Sequence, residues 1–272
     1  MVHLKAIAVF ALGFCVSSGV EARARLQPHQ REALLRDLEK GTTGRRNQAA
    51  ARLYHLQDGE ANAAVLRMAS HPRAEVRAAG VWALGVVRPR GAGALVLRAL
   101  RDRNAKVRRA AADAAGMLRL AGAASRLGRL LADKERSVRV KAVQALSRLR
   151  DKGLPPLKRA LMGKGEVQLL AVEALARIPG RGSSALLQRA SRSRALEVRL
   201  LAASKLLERF NPQGSRVLAR LLLHEQARWR ARAARLLARD HSALGRRALT
   251  RALRDPDQQV RRAAADALAR RR

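Results

Sequence analysis

Val107-Arg108-Arg109-Ala110-Ala111-Ala112-Asp113-Ala114-Ala115 returns near the C-terminus as Val260-Arg261-Arg262-Ala263-Ala264-Ala265-Asp266-Ala267-Leu268. Counted from the valine as zero, small or apolar residues fall at +3, +4, +7 and +8 and often at +11, which is one face of an α-helix. Similar openings stand at Val76, Val138, Val167, Val198 and Trp229, so the seven anchors are spaced 31, 31, 29, 31, 31 and 31 residues apart. A regular period of this size means one supersecondary unit stacked on copies of itself. Upstream of each anchor runs a second leucine-rich helical stretch, such as Leu95, Leu97 and Leu100 or Leu249 and Leu253. Breaks such as Gly163-Lys164-Gly165 and Asp255-Pro256-Asp257 separate the two stretches with turn residues. The predicted fold is all-α, an α-solenoid (superhelix) of about eight two-helix repeats.

The ends differ from the middle. Pro28, Leu34, Leu35 and Leu38 predict a helix over 28–39, and Asn47 to Leu53 keep the small-residue face without the anchor. Residues 25–57 therefore read as a degenerate N-terminal capping repeat ahead of an array over 58–272, since solenoid ends need a polar cap. Before it, a basic start (His3 to Lys5), an apolar core (Ala6 to Val16) and small residues up to Ala22 or Ala24 predict a signal peptide over 1–24. The apolar core is too short to span a bilayer, which takes about 20 residues. The expected location is secreted or periplasmic. Removal of the signal also removes Cys15, leaving no cysteine for a disulfide.

The unit resembles a HEAT repeat of the short, phycobilisome-lyase-like type. The residues that carry the resemblance are an acid six positions before an arginine at the start of the second helix: Asp102 and Arg108, Asp133 and Arg139, Asp255 and Arg261. The resemblance implies a structural ladder of these side chains between neighbouring repeats. His71, His224, Ser193 and Met162 replace the acid elsewhere, and Gln168 replaces one arginine. An irregular turn of the superhelix is therefore expected near 162–168, where the shortened repeat also falls.

Charge is the second unusual feature. The chain carries 57 Lys plus Arg against 21 Asp plus Glu, a formal net charge of +36. Cleavage after Ala24 would remove only Lys5, Glu21 and Arg23 from that balance. Such a field attracts polyanions at low salt and is screened at physiological salt. Much of the excess lies on the first helices or the loops beside them, with Arg246, Arg247, Arg251 and Arg254 as candidate polyanion contacts. The outward face of the second helices, taken as +2, +6 and +9, is mixed in charge.

On that face Val140, Leu169 and Leu200 share the +2 position in three consecutive repeats, with Leu207 at +9 beside them. The row is either an exposed interaction patch or a strip covered by neighbouring helices. Trp82 at +6 is either an exposed hot spot or a partly buried ring. Scattered histidines give no metal-ligand spacing, and no cofactor or phosphate-loop motif is present. Iron-binding HEAT-like hydroxylases use several His-Glu pairs, whereas this chain has one, His224-Glu225. A non-enzymatic binding scaffold for a protein or peptide partner is the first expectation. The alternative is a polyanion binder, taking an anionic polymer or membrane surface if exported and nucleic acid if not. Aromatic residues make up only 2% of the chain, which leaves little for base stacking.

Overall fold

The computed structural model describes residues 26–56 and 58–270; the expected signal peptide over 1–24 lies outside them. The N-terminal helices are α1 (Pro28–Lys40), α2 (Thr43–Leu56), α3 (Gly59–Met68) and α4 (Ala74–Val87). The middle of the chain forms α5 (Ala92–Ala99), α6 (Ala105–Met117), α7 (Ala124–Leu130), α8 (Arg136–Arg148), α9 (Leu154–Ala160) and α10 (Glu166–Arg177). The C-terminal helices are α11 (Arg181–Ala190), α12 (Leu196–Leu207), α13 (Pro212–Leu221), α14 (Ala227–Leu237), α15 (Ala243–Ala252) and α16 (Gln258–Ala269). Among the described residues there is no strand. Each odd-numbered helix packs on the even-numbered helix that follows it, so one repeat is one helix pair, and the chain is an all-α solenoid.

Local chemistry sets the helix starts. Asn104, Asn211, Ser242 and Asp257 each accept a backbone N–H two or three residues on, satisfying a donor that the first helical turn leaves free. Helix ends are less ordinary. Arg88, Arg119, Arg150 and Phe210 all adopt positive φ, between 49 and 55°, and each lies twelve residues after its repeat's anchor. Glycine is the usual residue for this left-handed stop because it has no Cβ to clash. Here three arginines and a phenylalanine take it.

The buried face comprises the anchors with +4, +7 and +8, as in Val138, Ala142, Ala145 and Leu146, all at most 1% exposed. The +3 position varies: Ala79, Leu170 and Ala263 are buried there, whereas Lys141 turns outward to meet Asp113 of the preceding repeat at 2.8 Å. Leucines of the first helices close the core, with Leu127, Leu157, Leu187, Leu218 and Leu249 fully buried. Each such side chain contributes about 2 kcal/mol through removal from water.

Position +9 sets how closely the second helices approach. Gly85 stands there in α4 and Gly116 in α6, and a Cβ on either would come within 2.9 Å of the backbone of the next second helix, at Ala114 and Ala145. The bare backbones let α4, α6 and α8 form one tight layer. Ser147, Ala176 and Leu207 follow at +9, and the layer loosens progressively until α12 touches α14 only sparsely. Instead α12 lies close against α13, where Gly214 brings a helix backbone to 2.6 Å of a would-be Cβ at Ala203 O and Leu207 N. Ala238 then restores close packing of α14 on α16.

The hydrophobic core divides at the same place, one cluster running from Leu26 to Leu206 and a second from Leu200 to Ala267. The main irregularity thus falls between α12 and α14, beyond the expected 162–168. Leu207 stands at that gap. Nearby, the Arg209 guanidinium has no acid; it donates to the carbonyl oxygens of Leu175, Ala176 and Ile178 at 2.5 to 3.0 Å and to Ser183 Oγ at 3.0 Å. Burial pushes its pKa down, and the carbonyls at the end of α10 offer it partial negative charge in exchange.

Candidate partner-binding surface

The ladder runs forward between repeats. Arg108 Nη1 donates to the carbonyls of Asp102 and Arg103 in its own loop, both at 2.9 Å, which leaves Nε and Nη2 free to fork onto Asp133 at 2.7 and 2.9 Å. Asp133 in turn accepts the Glu135 N–H at 3.0 Å. Each rung therefore closes two loops and joins two repeats through charge-assisted, bidentate bonds. Arg77 makes the same fork on Asp102, and Arg230 on Asp255.

Burial opposes ionisation of Asp102 and Asp133, but the guanidinium forks and loop N–H groups outweigh it and hold both carboxyls below the usual range. For Asp255 the Arg230 fork is itself the largest influence, in the same direction.

Arg77 and Arg230 were not legible as ladder residues because histidines, His71 and His224, stand six positions before them. The bond that matters runs 25 residues forward, to the next repeat's acid. The same geometry explains the weaker rungs. Arg139 faces Met162 where an acid would stand; it catches only Glu166, at 3.0 Å, and its Nε is buried without a partner. Gln168 donates to the Leu161 carbonyl alone. Arg261 holds its own loop through Asp255 O and Pro256 O, with no carboxylate on its fork among the described residues.

Arg199 is another gap in this series. Its forward partner is His224, whose Nδ1 accepts the Gln226 N–H as a ladder aspartate would accept its loop donor. A histidine cannot accept the guanidinium fork as well. Arg199 has turned Nε and Nη2 back onto the Ser193 carbonyl, at 2.9 and 2.7 Å.

The apolar row on the second helices is corrected. Val140 is 41% exposed, Leu169 is partly buried, and Leu200 and Leu207 are 2% and 9% exposed inside the C-terminal core cluster. The two buried leucines fail as surface residues because +9 faces the next repeat, and α12 leans on α13. Trp82 is partly buried against the core, which settles it as a packing ring. Trp229 is 8% exposed, its Nε1 donating to Gln226 Oε1 and the Arg228 guanidinium lying 5.0 Å from its ring.

Exposed apolar surface gathers on the opposite layer. Leu223, 70% exposed, and Leu244, 42% exposed, line one groove of about 540 Å³ between α13 and α15. Arg216, Arg220, Arg247, Arg251 and Arg254 surround them. Arg246 is exposed but does not line the groove. A second cavity of about 510 Å³ lies on the other side of α13 and contains Arg192, Arg199, Arg216, Arg220 and His224. Aligning the repeats does not single out Leu223: the residue before the ladder position is Ser70, Arg101, Ala132, Leu161, Arg192 or Arg254 elsewhere, and Leu161 is half-buried. Among the described residues, no group of three or more His, Cys, Asp or Glu could hold a metal ion.

Comparison with known proteins places this architecture. The family model for HEAT repeats matches residues 62–147 and 94–176, and the HEAT repeat model matches residues 246–270, together about half of the chain. The chain is a HEAT-repeat protein. Among solved structures similar to this HEAT-repeat protein is Escherichia coli YibA, at 18% identity and a TM-score of 0.53, covering 88% of this chain and 91% of that one. Kap95p, in a complex with RanGDP, is similar at 11% identity and a TM-score of 0.57, covering 90% of this chain and 40% of that one. Importin β gives 15% identity and a TM-score of 0.54, covering 88% and 40%. This chain thus spans about two-fifths of the two transport proteins, and at these identities the likeness is one of fold. No curated protein sequence matches the HEAT-repeat protein.

Proposed function

We propose that this HEAT-repeat protein is an exported, non-enzymatic scaffold that works by binding another protein along its solenoid surface. The observation that carries the reading is the groove between α13 and α15, where Leu223 and Leu244 stand exposed within a ring of arginines. Apolar side chains inside a charged rim are the anatomy of a protein interface. Helix-pair arrays present long surfaces suited to that work.

Two measurements test the reading. A photocrosslinker placed at position 223 in producing cells should give discrete protein adducts that are absent with the probe at Val140. Adducts at neither position, or adducts to nucleic acid alone, would overturn the scaffold. The intact mass of protein from fractionated cells tests export. Loss of residues 1–22 or 1–24 in an exported fraction is expected, whereas full-length cytosolic protein would refute it.

A further inference from the structure

The two cavities flanking α13 share Arg216 and Arg220 and adjoin across that helix, together making a two-part trough from the end of α11 to α15. Three helices at 8–10 Å spacing make it roughly 20 Å long, the span of about six extended residues. Its upper half, around Arg199, contains no acid, and among the described residues no carboxylate lies within ion-pair distance of Arg192, Arg199, Arg216 or Arg220. The matching cavity four repeats earlier, at Arg77 and His71, includes Asp102 as the acceptor of the arginine fork. The difference is one residue at the ladder position: aspartate there, His224 here. Arg192, Arg216 and Arg220 are exposed and Arg199 half-buried, so this cluster of like charges faces solvent and attracts an anion. The lower half adds exposed Leu223 and Leu244, with Asp255 already taken by Arg230 at 2.8 Å.

We propose that this trough binds an acidic, leucine-bearing segment of a partner protein, one carboxylate of which takes the ladder place that His224 leaves unfilled beside Arg199. The assignment rests on the scaffold reading above and gives it a partner chemistry. Carboxylate is favoured because the fork geometry is that of the intact rungs, where Nε and Nη2 take the two oxygens of one carboxylate at 2.7 to 3.1 Å. Arg199 needs only to release the Ser193 carbonyl to present the same pair of donors. The apolar half favours a protein segment over a uniformly charged polymer, which has nothing to place against Leu223 and Leu244.

The deciding substitution is His224→Asp. It supplies the missing carboxylate within the chain, so the variant should melt at a higher temperature than the parent while losing affinity for the segment. The probe is a fluorescent peptide of alternating Glu and Leu, read by anisotropy at physiological salt beside an oligoglutamate, a single-stranded oligonucleotide and phosphatidylglycerol vesicles. The expected order puts the Glu-Leu peptide first, with about tenfold weaker binding to His224→Asp and to Arg220→Glu. Equal affinity in the parent and His224→Asp would overturn the placement of the carboxylate at Arg199 while leaving the scaffold standing. Tighter binding of oligonucleotide or vesicles than of the Glu-Leu peptide would overturn the protein partner in favour of those ligands. Failure of both peptides, together with absent adducts at position 223, would sink the scaffold itself.

Discussion

The layer α4–α6–α8 and the bend α12–α13–α14 are built from the same repeat, yet one is tight and the other open. In the first, Gly85 and Gly116 let helix backbones meet, and the Arg77–Asp102 and Arg108–Asp133 forks tie the loops. In the second, Leu207 occupies the glycine position and His224 the aspartate position, so both ties are lost and α13 settles on α12 through Gly214. The comparison teaches that the residue at +9 and the residue at the ladder position change together between the tight layer and the open bend.

Acid should give the largest effect on this contrast, since it strikes every aspartate rung together. The folded pKa values of Asp102, Asp133 and Asp255 are depressed. Their stabilisation is therefore full above the ordinary carboxylate pKa of about 4 and is lost as pH falls through the folded values. Melting temperature should drop steeply below about pH 4, and hydrogen exchange in α4–α8 should rise to the level of α12–α14. Unchanged protection of α4–α8 at low pH would mean that the rungs do not hold the layer. Next comes Ala145→Glu, which places an unpaired charge against Gly116 at a site 1% exposed. A loss of at least about 3 kcal/mol is expected in chemical denaturation; a stable variant would show that this face is not inward.

Asp133→His makes the regular layer imitate the bend. It should cost about 2–3 kcal/mol, because Arg108 is left buried with its fork empty. Denaturation of the variant beside the Asp255→His protein would show whether rungs are worth the same in both regions. The smallest change is Arg119→Gly, which relieves positive φ at the end of α6 and should raise stability by about 1 kcal/mol. A loss instead would assign the Arg119 side chain a contact of its own.

The repeat and its helix faces were legible from spacing, because the anchors recur at 31 residues and helical periodicity fixes which side is apolar, and the ladder acids were legible through the resemblance to HEAT repeats. The surface was less legible. Leu200 and Leu207 share the pattern of outward residues, yet both are buried, since coverage depends on how repeats lean on one another. Arg77 and Arg230 were hidden by the histidines six positions upstream, because the sequence shows which residues recur but not that the fork reaches into the following repeat.

What the sequence determined by itself is the all-α solenoid, since a period-31 pattern of small and apolar residues can bury its face only by stacking helix pairs. The large basic excess is likewise fixed by composition. Only the tertiary structure decided where that charge becomes a site. Arg192 lies in the loop after α11, Arg199 on α12, and Arg216 and Arg220 on α13, and they converge because Gly214 lets α13 pack closely on α12.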